Sequence, residues 1–469
     1  MSDGVAIPAW LLVVMAALAV WALYEHAVVP ALRFLVTHPA NQVIDELGER
    51  LRIGIRPFQR TKRQALIHSL LADGRVQAAA EKYARENDLT LSAALRKVER
   101  YAREIVPAFN AYLYFRIGYW IGRWIARSLY RVRIGYIDSE GIAKVGSDAT
   151  VVFVMNHRSN MDYVLAAYLA ADQAALSYAV GEWARIWPLS ALVRAMGAYF
   201  VRRDSKDELY RRVLERYIVM ATEAGVPQAV FPEGGLTRDG FIREPKLGVI
   251  DYMMRGFRID GERDLVFVPL GINYDRVLED RSLLRSIDPG APGVGRPRAL
   301  WNTVSFVARN LRLMLKSEWH RFGYACVNFG APVSMRAYCG SRGVDFQRLP
   351  GEERRRATAA LGGHLMRSVG RIVPIVPVPL MATVFVHNPE RRLSSLELKA
   401  EVERLIERLE RSAAHVYVPR RDLDYALEVG LRMLLMRHLV DENEGIYLAR
   451  EKELPLLRYY ANSIAHLLD

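Results

Sequence analysis

Cysteine is nearly missing from this chain of 469 residues, with Cys326 and Cys339 the only two. They form neither a metal-ligand spacing nor a C-x-x-C pair, which excludes a disulfide framework and fits a reduced, cytosolic setting. No H-E-x-x-H helix and no G-x-x-x-x-G-K-[ST] loop occurs, so the sequence signals for zinc hydrolysis and P-loop nucleotide chemistry are absent. There is no internal repeat and no low-complexity tail, which excludes solenoids and arrays. Long uncharged apolar runs are scarce. The N-terminal one, Ala9 to Tyr24, has Trp10 and Trp21 near its ends and is sixteen residues long. About 20 are needed to span a bilayer, although Ala27 to Leu32 extend it past Glu25 and His26. Membrane insertion and a buried core helix both fit. If it inserts, Arg33, Arg50 and Arg52 place the following chain in the cytoplasm. A secretory signal is not expected, because the leader MSDG carries no positive charge.

What is present is cationic. Lys plus Arg number 65 against 52 Asp plus Glu, a net charge of +13, in a chain 51% apolar and 25% charged. Those fractions describe a globular protein, and the length suits two or three packed units. The excess charge favours an anionic partner: phospholipid headgroups, nucleic acid, or a phosphorylated substrate.

Residues 40 to 105 read as short helices broken at Gly54, Pro57 and Gly74. Ile105 to Val132 then combines Tyr112, Phe115, Tyr119, Trp120 and Trp124 with Arg116, Arg123, Arg127 and Arg131, which helical spacing places on one face. Such a helix suits a membrane surface, and equally a packed helix with an exposed arginine edge. From Thr150 the period changes. TVVFVM, ALSYAV, QAVF, LVFVPL and ACVNF alternate with helical stretches, which predicts an α/β fold with a mixed, largely parallel sheet flanked by helices. Asp288 to Pro297 is too rich in Gly and Pro for regular structure, and beyond Pro389 the pattern is helical.

Four blocks carry chemistry. NHRSNMD (Asn156 to Asp162) follows the apolar strand TVVFVM, so His157 sits where a buried strand ends. Asp162, near the start of the next helix, can accept from one imidazole nitrogen and leave the other as proton acceptor. A lone His and Asp at this spacing are ordinarily structural. The strand end and the polar flank of Asn156, Arg158, Ser159 and Asn160 favour a site. GAYFVRR ends in Arg202 and Arg203, able to grip a phosphate or simply to lie solvated on a loop. FPEGGLTRDG supplies Glu233, Gly234, Gly235 and Arg238, with Lys246 after it. The glycines permit close approach of backbone to a ligand, though a tight turn with incidental charges reads the same way. Glu233 could align a hydroxyl or hold an arginine. VPLGINYDRV, the fourth block, reads as a strand entering a site or as core.

In this order the blocks resemble the glycerophospholipid acyltransferase family with its H-x4-D motif, most nearly its membrane-bound bacterial glycerol-3-phosphate acyltransferases. Helical VQAAAEKYARE and the segment CVNFGAPV share in the resemblance. It implies acyl transfer from acyl-CoA or acyl carrier protein to the sn-1 hydroxyl of glycerol 3-phosphate, giving lysophosphatidic acid. His157 would be the base, Asp162 its partner, and backbone N–H groups just after His157 the oxyanion site. No metal or cofactor is implied, and no nucleic acid. Anionic membrane lipid is the expected partner and the cytoplasmic face of the inner membrane the expected location. Leu236 stands where the family often has arginine, so Arg202, Arg203, Arg238 and Lys246 would meet the acceptor's phosphate. Dihydroxyacetone phosphate or a lysophospholipid is the alternative acceptor. A non-catalytic basic module binding lipid or nucleic acid is the alternative class. The expected organisation is a membrane-anchoring segment (1–36), a helical membrane-surface region (37–135), a catalytic α/β domain (136–388) and a helical C-terminal region (389–469).

Overall fold

The computed structural model describes residues 56–170, 175–181, 189–202, 205–288 and 322–468, together with Ala22, Glu25 and His26. Nearly all of the segment 9–32, Arg33, Arg50, Arg52, Arg203 and the stretch 289–297 lie outside the described residues. Among the described residues no helix is long and apolar enough to cross a membrane. After a single helical turn at Pro57–Arg60 come three helices: α1 (Arg63–Ala72), α2 (Gly74–Glu86) and α3 (Leu91–Ile105). The Asp73 carboxylate accepts from Arg75 and Val76 N–H, and Thr90 Oγ1 from Ala93 N–H, so α2 and α3 each start at a side chain that satisfies free amides. Pro107 drives Val106 into an extended conformation and ends α3.

A π-helical turn, Leu113–Gly118, leads into α4 (Tyr119–Leu129). The helix does not continue to Val132 as its pattern suggested. Arg131 opens strand β1 (Arg131–Ile137), so Arg116, Arg123 and Arg127 remain helical while Arg131 is drawn into pairing with Tyr324.

The sheet continues with β2 (Thr150–Met155), after which come α5 (Met161–Ala170), β3 (Ser177–Val180), α6 (Leu189–Ala195), β4 (Tyr199–Phe200), α7 (Glu208–Glu223), β5 (Gln228–Val230) and α8 (Gly248–Arg255). Strands β6 (Leu265–Tyr274), β7 (Tyr324–Phe329) and β8 (Val333–Ser334) complete it. The order is β1-β7-β6-β2-β5-β3-β4, with β8 on β6. Five pairings are parallel; β6–β7 and β6–β8 are antiparallel. The expected mixed, largely parallel sheet is therefore present.

Strand β2 shows why an unbroken apolar run was needed. Val151, Phe153 and Met155 enter the core on one face, while Val152 and Val154 enter a second core on the other. Each fully buried side chain of this size contributes about 1.5–3 kcal/mol. The second core is built with α3, α7, α8 and α9 (Gly351–Arg371) through residues such as Val98, Tyr217, Met253 and Leu365. Gly271 in β6 lets the end of α9 lie against the strand, since a Cβ there would sit 2.4 Å from the Ile372 carbonyl oxygen.

The C-terminal part joins the first core. It comprises α10 (Pro377–His387), β9 (Leu393–Ser394), α11 (Ser395–Arg411), α12 (Leu423–Met436), β10 (Val440–Asn443), β11 (Ile446–Ala449) and α13 (Leu454–Ala465). It is not wholly helical as expected, because β10, β11 and β9 form a small antiparallel sheet. Phe385, Leu398, Met433 and Tyr460 pack into the same cluster as Val151 and Phe153.

Candidate active site

Parallel neighbours β2, β5, β3 and β4 end together, and a site at that carboxyl edge is where open α/β sheets place ligands. His157 stands two residues past β2, Glu233 three past β5, Gly181 directly after β3, and Arg202 two past β4. A cavity of about 350 Å³ lies against these ends.

His157 is 1% exposed and Asp162 0%. Nδ1 of His157 is 2.9 Å from Asp162 Oδ2, the same oxygen that accepts from the N–H groups of Arg158 (2.7 Å) and Ser159 (3.0 Å). The Tyr274 hydroxyl donates to Asp162 Oδ1 at 2.5 Å. All four contacts ask Asp162 to accept, so Nδ1 carries the imidazole proton and Nε2 is left with its lone pair. Nε2 is buried and has no partner among the described residues, while His157 itself lines the cavity. An orphaned buried nitrogen is costly unless something else satisfies it, which marks it as a position for a substrate proton. The ring is fixed by Phe231, stacked at 4.1 Å, and by the edge of Tyr163 at 5.3 Å.

Of the other residues singled out by sequence, Arg202, Gly234, Gly235 and Lys246 line the cavity with His157. The Arg202 guanidinium is also bound in bidentate fashion by Glu104, at 2.9 and 2.6 Å. Arg238 is exposed and is not part of the cavity wall. Arg203 lies outside the described residues. Gly234 has φ +69°, and a Cβ there would lie 2.6 Å from Lys246 Cδ, so glycine is what allows the lysine to fold over this turn. Glu233 is engaged with the backbone. Its carboxylate accepts from the backbone N–H of His157 at 2.9 Å and of Arg243 at 3.3 Å, and burial pushes its pKa up to about 7. It ties the first block to the third. The N–H groups after His157 are likewise committed, those of Arg158 and Ser159 to Asp162 and that of Asn160 to Glu279. They are not free to form an oxyanion site. Gly235 lines the cavity, and among the described residues its N–H has no hydrogen-bond acceptor.

Residues 136–273 match the Acyltransferase family, and residues 309–468 match the family described as Glycerol-3-phosphate acyltransferase C-terminal region. The first range contains the His157/Asp162 pair and the strand ends around it. The chain contains an acyltransferase domain. Similar proteins named glycerol-3-phosphate acyltransferase include those of Aeromonas hydrophila (25% identical, covering 92% of this chain and 52% of the relative) and Pseudomonas fluorescens (26%, 95% and 52%). That of Xanthomonas axonopodis is 24% identical, covering 92% and 49%. The chain thus spans about half the length of the curated relatives it matches. A solved structure, the 1-acyl-sn-glycerophosphate (LPA) acyltransferase of Thermotoga maritima, is similar at 16% identity. It covers 55% of this chain and 76% of its own, with a TM-score of 0.30.

The acyltransferase domain also uses residues that the blocks did not mark. Tyr274 lies in the fourth block, but its role as a donor to Asp162 could be read only once β6 was placed beside β2. Glu279 accepts from Ser159 Oγ at 2.8 Å and from Asn160 Nδ2 at 3.1 Å, fixing the turn after His157, and its pKa is raised by burial. Arg158 is buried over the Tyr459 ring and donates to the Gly240 carbonyl at 2.8 Å, so the C-terminal helix α13 closes over the back of the site. A second cavity, about 210 Å³ and mostly apolar, runs between α4, α5 and α6. Tyr163 and Val180 line both cavities, while Gly118 and Gly122 open the second beneath α4.

Proposed function

We propose that the acyltransferase domain carries an acyl group from a thioester donor, acyl-CoA or acyl carrier protein, to the sn-1 hydroxyl of glycerol 3-phosphate, with His157 as general base. The observation that carries this reading is the unpartnered Nε2 of His157 on the cavity wall, with its Nδ1 already committed to Asp162. Nε2 takes the hydroxyl proton as the acceptor oxygen attacks the thioester carbonyl. Asp162 offsets the charge of the imidazolium. The carbon–sulfur bond then breaks, and the departing thiolate takes the proton back from His157. The Gly235 amide is the available donor for the tetrahedral oxyanion.

The acceptor's phosphate is assigned to Lys246 and the Arg202–Arg203 pair. Support comes from Lys246 and Arg202 on the wall; Arg238, exposed and away from it, does not share in that support. The acyl chain is assigned to the apolar cavity that Tyr163 and Val180 join to the catalytic one. The site is assigned to the cytoplasmic face of an anionic membrane, and α4 supports contact with lipid. Trp120 is 60% exposed and Trp124 58%, with Ile121 exposed between them and Arg123 over the Trp120 ring. Aromatic and cationic groups on one helix suit a headgroup interface.

The test is thioester turnover by the purified full chain in lipid vesicles with glycerol 3-phosphate, dihydroxyacetone phosphate, lysophosphatidic acid and glycerol as acceptors. Glycerol 3-phosphate should be used best and glycerol poorly. Equal use of glycerol would remove the phosphate site, and preference for another phosphorylated acceptor would replace the substrate.

A further inference from the structure

A second polar cavity of about 490 Å³ opens beside the catalytic one, between α7, α8 and the start of α9. The two share Arg211, Gly248 and Tyr252 in their walls. Five arginines line the outer cavity, Arg211, Arg212, Arg255, Arg354 and Arg355, against three carboxylates. Those carboxylates are already occupied. Glu208 is bound by Lys82 at 3.0 Å. Glu215 is shared by Arg212 and Arg255, at 2.8 and 3.0 Å, and Asp251 by Arg255 and Arg354, at 2.9 and 3.3 Å. Three arginines on two carboxylates leave positive charge over. Arg355 has only a 3.7 Å contact with Glu352 at an exposed position. Arg211, at the junction of the two cavities, is exposed and its guanidinium makes no hydrogen bond or ion pair among the described residues.

We propose that this arginine-lined cavity binds the phosphate of the donor's phosphopantetheine arm, with Arg211 at the gate between the chemistry and the carrier. The inference rests on the acyl-transfer reading above. His157 and the strand-end residues do not line the outer cavity, whereas glycerol 3-phosphate holds its phosphate only a few bonds from the hydroxyl that His157 deprotonates, so the acceptor's phosphate is assigned to the inner cavity. A phosphopantetheine thioester has the complementary shape: a reactive carbonyl, a long neutral arm, then a phosphate. The neutral wall at Gly248 and Tyr252 suits the arm, and surplus guanidinium charge suits the anion. Acyl-CoA and acyl carrier protein share this phosphate, so the site does not by itself choose between them.

The experiment uses the full chain and two charge reversals, Arg211→Glu and Arg355→Glu, alone and combined, with Arg211→Lys as the conservative control. Donor KM is measured for acyl-CoA, acyl carrier protein and acyl-pantetheine, which lacks the phosphate, at saturating glycerol 3-phosphate. Partly exposed contacts of this kind predict a rise in donor KM of about threefold for each reversal and roughly tenfold for both. Arg211→Lys should keep most of the affinity. Acyl-pantetheine KM and glycerol 3-phosphate KM should hardly move. A rise for one phosphorylated donor alone supports the site and names the carrier it serves. Unchanged KM for both phosphorylated donors, an equal rise for acyl-pantetheine, or a rise confined to glycerol 3-phosphate would overturn it. Wild-type protein that transfers no acyl group to glycerol 3-phosphate from any donor would instead refute the reaction itself.

Discussion

Replacing Glu233 by glutamine tests whether a buried carboxyl links the histidine block to the glycine turn. Glu233 accepts from His157 N–H at 2.9 Å and from Arg243 N–H at 3.3 Å, and burial lifts its pKa from 4.5 to about 7. Below pH 4.5 the group is protonated in both folded and unfolded chains and has no effect on the balance. Between pH 4.5 and 7 the unfolded chain releases the proton while the folded one holds it, so stability falls as pH rises. Above 7 the loss is complete. With 1.36 kcal/mol for each pKa unit, the decline comes to about 3 kcal/mol. Glu233→Gln cannot titrate. It keeps an acceptor for the shorter bond and gives up the longer one, at a cost of about 1 kcal/mol that does not depend on pH. Chemical denaturation followed by tryptophan fluorescence at pH 5 and pH 8 measures both terms. The wild type should lose about 2–3 kcal/mol more than the variant between the two conditions, since a small part of the decline has already occurred at pH 5. Parallel losses would refute the buried, proton-holding role of Glu233.

Asp162→Asn should lower kcat by roughly 10²–10⁴-fold with both KM values nearly constant, because the amide no longer fixes the Nδ1–H tautomer; a shift confined to KM would contradict this. Gly271→Ala should destabilise the fold by about 1–3 kcal/mol in denaturation, since its methyl meets the Ile372 carbonyl at 2.4 Å. Trp120→Ala combined with Trp124→Ala should weaken binding to anionic vesicles in flotation assays while leaving the unfolding midpoint unchanged, because both rings are more than half exposed.

The parts of the fold legible in sequence were those with a local signal. Thr150–Met155 is buried on both faces and reads as an uninterrupted β-branched run, and the polar residues from Asn156 mark where it reaches the candidate site. Strand β1 carried no such mark. Its mostly exposed residues, with Arg131, Arg133 and Gly135 interrupting the apolar ones, continue the arginine pattern of α4, and its partner Tyr324 lies far along the chain. The β10–β11 hairpin did have a signal in Glu444 and Gly445, which take φ +52° and +75° as a tight hairpin turn requires. Charged Asp441 and Glu442 hid it within a stretch that otherwise looks helical. In the site, the His157/Asp162 pair was legible because only four residues connect it. Glu279 was not, since its bonds to Ser159 and Asn160 join segments 119–120 residues apart, and Arg211 was not, since the cavities it lines are walled by α8 and the start of α9, distant in sequence. Arg238 illustrates the converse: a cation beside a glycine pair in sequence, yet exposed and outside the cavity wall.

The central claim is that His157 Nε2 takes the acceptor's proton, and single-turnover acyl transfer by His157→Ala tests it most directly. The variant should bind the thioester donor as the wild type does, yet transfer the acyl group to glycerol 3-phosphate roughly 10²–10⁴-fold more slowly. Transfer at the wild-type rate by a folded His157→Ala protein would contradict the account.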